Sequence, residues 1–402
     1  MTIVMIGQKG LPARAGGVER HVSLLAEGLA SRGHRVVVYG RRWYVGQAEA
    51  PKNVEQCFTK GIHTKHLDAI THSLTALWEA RYLHPEIVHL HGTGTALLTP
   101  IARLLHPRAK VVVTFHCIDW QHAKWGVIAR MALRLGEWMA CHLPHRTITV
   151  SQTLARYCLD TYGSQPVYIP HPFRLDFPRP STDFLHGFHL QPERYLLLVA
   201  RLIPHKQAHL LIEAYARGRA RRPDLFRDLP LVIVGGGSWT EAYVERMQTL
   251  ARTVPGVQLL GERSGEELAA LQAHTLAHVF PTSSEGLAFA MLEAGAYARP
   301  AIVTDLAQNR EATGGHAMHV RVRDVEDLCR GLIEVVTLSE ESRMRMGWAM
   351  QQHVAERFSF ADRLDEIERV YAELAYGHRH LVSVHPFPIL QPVPFVIPSS
   401  RP

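Results

Sequence analysis

Two glutamates stand in a segment that is otherwise built mainly from small and apolar residues. Residues 281–300 carry carboxylates at Glu285 and Glu293, with Leu, Ala, Phe and Met filling most positions between them. The pattern predicts a strand end at 278–280, a polar loop, and a buried, largely apolar helix that begins at Glu285. An ionised carboxylate buried without a partner is costly. Each glutamate therefore either meets a basic residue of the core or faces a ligand.

The spacing of the two glutamates limits the chemistry they could do. Eight residues of helix rise about 12 Å, which is too far for the nucleophile and acid–base pair of a retaining glycosidase. The distance suits two residues that bind different parts of one long ligand. The loop at 283–286 also leaves the first N–H groups of the helix free to bind an anion. A nucleotide-sugar, with phosphate between two hydroxyl-bearing rings, fits these features. The alternative is a buried helix whose glutamates are satisfied by arginines.

A glycine loop follows the first predicted strand, at 3–6. It ends in Gly16 and Gly17, and a helix and a second strand come next, so the segment predicts a βαβ unit with the loop at the strand's carboxyl end. The loop is neither a Walker loop nor the dinucleotide fingerprint. It either faces a ligand or is a plain turn.

Three further candidates also follow predicted strands. His116 comes after a strand at 110–115, at the sheet edge expected to face a cleft, although a structural role is the alternative for a single histidine. Arg201 and Lys206 lie between a strand at 195–200 and a helix. Because cations in that position can hold a phosphate, these two residues favour an anionic ligand.

The elements that position these residues form two successive α/β halves. Strands and helices alternate from residue 3 to about 170, regular structure stops in a proline-rich and aromatic stretch, and the alternation begins again at Tyr195. The pattern predicts two Rossmann-like domains facing across a cleft, the natural ligand site. The predicted limits are 1–178 for the first domain, 179–360 for the second domain, 361–376 for a helix returning to the first domain, and 377–402 for an extended or disordered proline-rich tail that could instead dock on a surface.

Composition excludes several classes of protein. The chain has 402 residues, 47% of them hydrophobic and 20% charged, which is ordinary for a globular protein. A net charge of +7 favours anionic ligands or lipid surfaces without demanding nucleic acid. The chain shows no apolar run of membrane-spanning length and no export signal, so we expect a cytoplasmic protein. Five scattered cysteines and the lack of His-Glu-x-x-His or Asp-x-Asp spacings predict no metal site and no cofactor.

The order and spacing of short motifs resemble a known family over residues 1 to 376. The motifs include Gly16-Gly-Val-Glu-Arg-His21, Thr114-Phe-His116, Val150-Ser151, Arg201-Leu-x-Pro-x-Lys206, Gly235-Gly-Gly237, Glu285 with Glu293, and Asn309-Arg-Glu311. Together they resemble the retaining GT-B glycosyltransferases of family 4. The segments 9–17 and 119–125 resemble more narrowly a bacterial, rhamnosyltransferase-like subgroup associated with surface polysaccharides.

This resemblance implies roles for the candidate residues. The donor would bind mostly to the second domain, with Arg201 and Lys206 on the diphosphate, Glu285 on the donor sugar and Glu293 on the ribose hydroxyls. N–H groups of the segment after Glu285 would help to hold the diphosphate, those of Gly286, Leu287 and Ala288. The family acts without a metal ion, by same-face attack on the anomeric carbon.

The remaining implied roles concern the first domain and the nucleobase. Gly16 and Gly17 would close over the pyrophosphate and the acceptor side, and His116 would contact the sugar near the reacting carbon. Backbone around Gly261 would help to recognise the base. Departures from the family pattern fall at Pro204-His-Lys-Gln207, where a glycine is lost, at Ile169-Pro-His-Pro172 in the linker segment, and at Ala288, where proline or glycine is frequent.

The acceptor is inferred to be lipid-linked or a glycan. Basic residues and tryptophans on one amphipathic helix would suit the inner face of an anionic membrane, namely Lys124, Arg130 and Arg134 with Trp120, Trp125 and Trp138. A solvated basic face over a core is the alternative. Two other functions stay open: a nucleotide-sugar 2-epimerase of the same build, and a non-catalytic sugar-binding protein.

Overall fold

The computed structural model describes residues 1–13, 16–64, 67–121, 125–176, 180–237 and 240–377. Two parallel sheets organise this part of the chain. The first has the strand order β3-β2-β1-β4-β5-β6-β7. Its strands are β1 (Thr2–Ile6), β2 (Arg35–Gly40), β3 (Val54–Phe58), β4 (Ile87–His91), β5 (Lys110–Phe115), β6 (Arg146–Thr149) and β7 (Val167–Tyr168).

Helices cover the first sheet on both faces. They are α1 (Gly17–Ser31), α2 (Arg42–Val45), α3 (Asp68–Ala80), α4 (Thr93–Ala96), α5 (Thr99–Leu105), α6 (Val127–His142) and α7 (Gln152–Tyr162). Short 3₁₀ turns occur at Arg81–Leu83 and Asp119–Gln121. The central strands are buried along almost their whole length and mainly apolar, as parallel strands covered on both faces are expected to be, although β4 also buries His89 and His91.

The second sheet has the order β10-β9-β8-β11-β12-β13. Its strands are β8 (Leu196–Val199), β9 (Leu231–Val234), β10 (Val257–Gly261), β11 (Ala277–Phe280), β12 (Ala301–Thr304) and β13 (Met318–Val320). A 3₁₀ turn lies at Pro204–Lys206, and the helices are α8 (Asp183–His186), α9 (Ala208–Arg221), α10 (Pro223–Phe226), α11 (Glu241–Thr253), α12 (Gly265–Ala273), α13 (Phe289–Ala296), α14 (Ala307–Thr313), α15 (Val325–Thr337), α16 (Glu340–Arg357) and α17 (Phe360–Tyr376). The two sheets confirm the predicted fold class of two Rossmann-like α/β domains.

Both sheets reverse their strand order at one point. In the first sheet the reversal lies between β1 and β4, and in the second between β8 and β11. Loops that leave such neighbouring strands diverge, which opens a crevice at their carboxyl ends where α/β sheets bind ligands. The glycine loop follows β1, Arg201 follows β8, and the segment with Glu285 follows β11. The topology thus places the predicted site residues at the two reversals.

The end of the chain returns from the second half to the first. Helix α16 packs on α13, whereas α17 packs on α1. Leu364, Ile367 and Tyr371 of α17 join the core of the first half, and an added Cβ on Gly28 of α1 would lie 2.3 Å from Leu364 Cδ1. The close approach of the two helices therefore depends on a glycine.

Two segments connect the halves, and they run next to each other. The Phe173 N–H donates to the Phe358 carbonyl at 2.9 Å, and Phe173 forms a parallel bridge with Ser359. The predicted boundary at 178/179 lies outside the described residues, as does the tail from 378 onward, and the domain limits stay a prediction.

Glu137 gives the fold a testable dependence on pH. It is buried in α6 and accepts hydrogen bonds from Tyr157 and Tyr162 at 2.9 and 2.8 Å. Burial raises the pKa of Glu137 to about 7. A carboxyl group whose pKa is higher in the folded than in the unfolded chain stabilises the folded state at pH values below its pKa in the unfolded chain. This contribution disappears as the pH rises through its pKa in the folded chain.

We therefore expect Glu137→Gln to be more stable than the natural chain at pH 8, by on the order of 2 kcal/mol, and to lose this advantage near pH 4.5. Urea denaturation between pH 4.5 and 8 measures the difference. Glu245→Gln, at an exposed position, is the matched control and should follow the natural chain. A constant difference between Glu137→Gln and the natural chain across this range would contradict the expectation.

Candidate active site

The segment after β11 differs from its prediction. Helix α13 begins at Phe289, after Ala288 in an extended conformation, so Glu285 lies in the preceding loop and not at the start of the helix. The predicted span of 12 Å between the glutamates along one helix is therefore wrong. Tertiary contacts hold the loop open: the Ser283 N–H donates to the His205 carbonyl at 2.8 Å, and an added Cβ on Gly286 would lie 1.8 Å from the His116 carbonyl oxygen.

The same correction applies to the N–H groups predicted to hold phosphate. Gly286, Leu287 and Ala288 lie before α13, so their N–H groups belong to the loop. Within the described part of the chain, none of the three donates a hydrogen bond to the protein. Three successive free N–H groups can bind an anion even without the helix. The Leu287 carbonyl, in contrast, contacts His171 Nε2 at 3.2 Å.

Glu285 and Lys206 form an ion pair. Both side chains are largely buried, and Lys206 ends the 3₁₀ turn that begins at Pro204. Gln308 Nε2 also donates to the Glu285 carbonyl at 2.9 Å, which ties the loop to α14. The structure therefore brings two of the predicted catalytic residues into direct contact.

Arg201 lies at the end of β8, close to a lysine of the first half. Burial lowers the pKa of Lys9, and the neighbouring Arg201 charge acts in the same direction while Glu19 opposes it. The Lys9 N–H donates to Glu19 Oε1 at 3.2 Å, which fixes the loop after β1. Among the described residues, no carboxylate forms an ion pair with Arg201. The sequence does not identify Lys9 as a site residue, because its proximity to Arg201 depends on the strand order of the two sheets.

Glu293 lies on α13 and faces the first half. It accepts a hydrogen bond from Gln272 Nε2 at 2.6 Å. Burial raises its pKa, and the charge of Arg20, on α1 of the first half, opposes the shift. The buried Arg20 Nε has no hydrogen-bond partner in the described structure. Glu293 is therefore placed between a core amide and a cation from across the cleft.

The predicted glycines lie in two different places. Gly16, with φ of 107°, precedes α1, and an added Cβ on Gly17 would lie 3.7 Å from Phe289 Cδ2, so this loop lies against the start of α13. Gly261 is exposed with φ of 71° at the end of the edge strand β10, and its carbonyl accepts from the Gly235 N–H at 2.8 Å. The structure joins Gly261 to the turn beside Arg201.

His116 belongs to a group of five buried histidines, here called the histidine cluster: His21, His89, His91, His116 and His171. His116 Nε2 lies 3.3 Å from His91 Nδ1, and its ring centroid lies 4.9 Å from that of His21. Burial lowers the pKa of His21 to about 3 and the pKa of His116 well below its usual value. His116 is therefore a neutral imidazole near pH 7.

The motif around Glu311 has a structural role. Both Glu311 carboxylate oxygens accept from the Gln152 N–H, at 3.1 and 3.0 Å, so a residue of α14 caps the first turn of α7 in the other half. Ser151 Oγ accepts from the Leu154 N–H at 3.3 Å, as its position before that helix predicted. Burial raises the pKa of Glu311. The Glu311 cap therefore links the two halves.

The helix expected to carry a basic face exposes apolar residues as well. Helix α6 begins at Val127, so Trp120 and Trp125 precede it, and Lys124 lies outside the described residues. Ile128 is 85% exposed and Met131 67% exposed. Arg130 and Arg134 are exposed as well, and Gly136, Glu137, Ala140 and Cys141 are the buried residues of α6. The solvated basic face is therefore present together with an outward apolar stripe. None of the described helices is both long and apolar enough to cross a membrane.

Known proteins resemble this chain in sequence and in fold. Residues 15–177 match Glycosyltransferase Family 4, and residues 193–337 match Glycosyl transferases group 1. Phosphatidyl-myo-inositol mannosyltransferase of Mycobacterium tuberculosis is 25% identical over 376 residues, which are 90% of this chain and 94% of that protein.

Two solved structures show the same fold. Sucrose-phosphate synthase of Thermosynechococcus elongatus superimposes with a TM-score of 0.78 at 18% identity, over 93% of this chain and 98% of its own. HepE of Anabaena, solved with UDP and glucose, gives a TM-score of 0.74 at 16% identity, over 93% and 100%. The chain therefore has the GT-B fold, and each of its halves matches a glycosyltransferase family.

Proposed function

We propose that this protein transfers a sugar from a nucleoside-diphosphate donor to a lipid-linked or glycan acceptor, with retention and without a metal ion at the diphosphate. One observation carries the proposal. Arg201 and Lys206 stand at one edge of the cleft with the free N–H groups of Gly286, Leu287 and Ala288, and Lys9 approaches Arg201 from the other edge. Cations and N–H groups from both halves thus converge where a diphosphate would sit.

These groups supply what the departure of a nucleoside diphosphate needs. Breaking the bond between the anomeric carbon and the phosphate oxygen leaves negative charge on the phosphate. Fixed cations and N–H groups stabilise that charge where it develops, and they require no reorganisation during the step. Arg201 adds a planar pair of donors suited to phosphate oxygens.

Retention follows from attack on the face that the phosphate leaves. The acceptor hydroxyl oxygen forms the new bond to the anomeric carbon as the bond to the phosphate oxygen breaks, and the hydroxyl proton passes to the departing phosphate. The proposal assigns no nucleophile of the protein to this step. His116 is a neutral ring that can contact the sugar without competing for the proton.

The same proposal also assigns residues to the sugar, the ribose, the pyrophosphate and the base of the donor. Glu285 holds the sugar once its pair with Lys206 opens toward the ligand, and Glu293 holds the ribose. Gly16 and Gly17 close over the pyrophosphate, and Gly261 lies near the base. HepE was solved with UDP-glucose, which supports a nucleotide-sugar in this fold. The rhamnosyltransferase-like subgroup and the surface-polysaccharide pathway stay predictions.

A donor screen tests the function. The full chain is titrated with UDP, GDP, ADP and dTDP and then assayed for release of the nucleotide from matching nucleotide-sugars, with and without a lipid or glycan acceptor. We expect one nucleotide to bind and release to depend on the acceptor. Binding of none would indicate a sugar-binding protein, and conversion of the donor to a 2-epimer without an acceptor would indicate an epimerase. Adding or omitting Mg²⁺ or Mn²⁺ should leave turnover unchanged.

We further propose that the protein meets an anionic membrane through α6. Its outward apolar stripe consists of Val127, Ile128, Met131, Leu135 and Trp138. Arg130 and Arg134 lie on the same helix, and Arg134 stacks over Trp120 with a distance of 5.1 Å to the ring centroid. Apolar side chains flanked by cations suit the boundary of an anionic bilayer. The named substrate of the mycobacterial relative is a phospholipid, which supports a membrane-bound acceptor. The predicted cytoplasmic location stays a prediction.

We expect Ile128→Glu with Met131→Glu to remove sedimentation with vesicles containing phosphatidylglycerol, because two carboxylates would oppose both insertion and the lipid charge. Cosedimentation and donor hydrolysis are measured together. Met344→Glu with Trp348→Glu is the matched control, since these side chains on α16 are also exposed. Unchanged vesicle binding by the α6 variant would contradict the expectation, and donor hydrolysis in solution should stay normal.

A further inference from the structure

Three members of the histidine cluster converge on one point. His21 comes from α1, His91 ends β4, and His116 follows β5, and all three are buried. One ring nitrogen from each lies within 4.8 Å of the other two. Three imidazoles that meet inside a protein are expected to share protons, hold a ligand, or leave nitrogens without partners.

The hydrogen bonds determine which ring nitrogen of His21 carries the proton. His171 Nε2 lies 3.2 Å from the Leu287 carbonyl, which can only accept, so that nitrogen carries the proton. The neutral His171 ring then presents an unprotonated Nδ1, and His21 Nδ1, at 2.9 Å, must donate to it. His21 Nε2 is therefore a lone pair. It is buried and has no donor within the described residues.

His91 and His116 complete the geometry. His91 Nδ1 and His116 Nε2 are 3.3 Å apart, which is about the edge of a tetrahedron with zinc–nitrogen bonds of roughly 2.0–2.1 Å. His91 Nε2 is likewise buried and has no hydrogen-bond partner in the described part of the chain. Unpaired buried polar atoms are costly, and an ion bound by His21 Nε2 would supply that lone pair with its missing partner. His91 would bind the same ion through Nδ1 and keep its proton on Nε2.

We propose that His21, His91 and His116 bind one divalent transition-metal ion of the zinc class. Imidazole nitrogens suit Zn²⁺, Co²⁺, Ni²⁺ and Cu²⁺, whereas Mg²⁺ and Mn²⁺ prefer oxygen ligands. Three histidines leave a fourth position for an oxygen ligand. The site therefore differs in chemistry from the magnesium ion that bridges phosphates in many nucleotide enzymes.

His171 orients this site without binding the ion. A metal-binding histidine usually donates its other N–H to an outer partner, which fixes the ring. Here His21 donates to His171, which in turn donates to the Leu287 carbonyl of the other half. The ion would accordingly stiffen the contact between the first half and the loop before α13.

Metal binding is measured on the full chain without any donor, so its outcome is independent of the transferase proposal. The metal-free protein is titrated with Zn²⁺ in competition with a chromophoric chelator, and Co²⁺ is added separately for its visible absorption. We expect one tight ion per chain and a cobalt spectrum of tetrahedral type. His21→Asn, which keeps a donor toward His171 and removes the Nε2 ligand, should weaken binding at least about 100-fold.

His106→Gln is the matched control, because His106 is buried, bonds to the Leu77 carbonyl at 3.0 Å and lies outside the cluster. It should bind Zn²⁺ like the natural chain. If His21→Asn fails to fold, crystals of the natural chain soaked in Zn²⁺ decide the matter through anomalous scattering at the zinc edge. A peak between the three rings supports the proposal. A peak elsewhere, no stoichiometric ion, or equal affinity in a folded His21→Asn would overturn it.

Discussion

Replacement of Lys206 by alanine is expected to lower kcat/KM about 10²- to 10³-fold, the scale for removing one group that stabilises developing negative charge. The Lys206 side chain is largely buried in an ion pair with Glu285 at the end of a 3₁₀ turn, so its position is fixed before a donor arrives. A fixed cation of this kind contributes more to the departure of a phosphate than to ground-state binding. We therefore expect kcat to fall more than KM rises.

Initial rates with the donor found in the screen measure this loss. Lys52→Ala, at an exposed position of the first half, is the matched control and should keep normal rates. Arg201→Ala should lower kcat/KM by a similar factor, because both cations are proposed to stabilise the negative charge that develops on the departing phosphate. A change of less than threefold for Lys206→Ala, with the fold intact by circular dichroism, would remove the lysine from the site.

Glu285→Gln is expected to lower turnover by about 10³-fold or more while the fold stays intact. The substitution keeps the shape of the side chain but removes the charge that holds Lys206, and it replaces one of the two acceptor oxygens proposed for the sugar by an NH₂ donor. Glu285 lies in a loop fixed at both sides, by His205 before it and by Gln308 at its own carbonyl. The neutral side chain should therefore stay in place, and the effect should be chemical.

A double-mutant cycle separates the two roles of Glu285. If its main task is to hold Lys206, the loss in Lys206→Ala with Glu285→Gln should be much smaller than the product of the single losses. If it also contacts the sugar, Glu285→Gln should lose more than Lys206→Ala alone. Glu266→Gln, which is exposed on α12, is the matched control. Normal turnover in Glu285→Gln would exclude the residue from the reaction.

The sequence predicts the strands and their carboxyl ends well, because buried parallel strands are short apolar runs that end in glycines or polar residues. It fails at the start of α13. Leu287 and Ala288 favour a helix by local propensity, but Gly286 is pressed against the His116 carbonyl and Ala288 is extended. Contacts with a segment about 170 residues earlier in the chain decide this conformation, and no local pattern carries that information.

Helix α6 shows a second kind of failure. An amphipathic pattern tells which residues share a face, yet it does not tell whether the apolar face turns inward. In this structure Ile128 and Met131 face outward, and the side turned inward carries Glu137 and small residues.

The histidine cluster shows a third limit of prediction from the sequence. Its members at 21, 89, 91, 116 and 171 have no spacing typical of a metal site, and the sheet topology alone assembles them. Lys9 meets Arg201 for the same reason, since each follows a strand at which its sheet reverses order. In both cases the residues could have been identified only with the strand order in hand.

The two neighbouring crossings of the chain between the halves limit how these halves can move. Phe173 bonds to Phe358 and bridges to Ser359, so the two crossings lie side by side. The two halves can therefore rotate about a hinge axis that passes through these crossings. Points near the axis then move little, while the rim of the cleft farthest from it moves most. Entry of the donor and release of the spent nucleotide should consequently take place at that far rim.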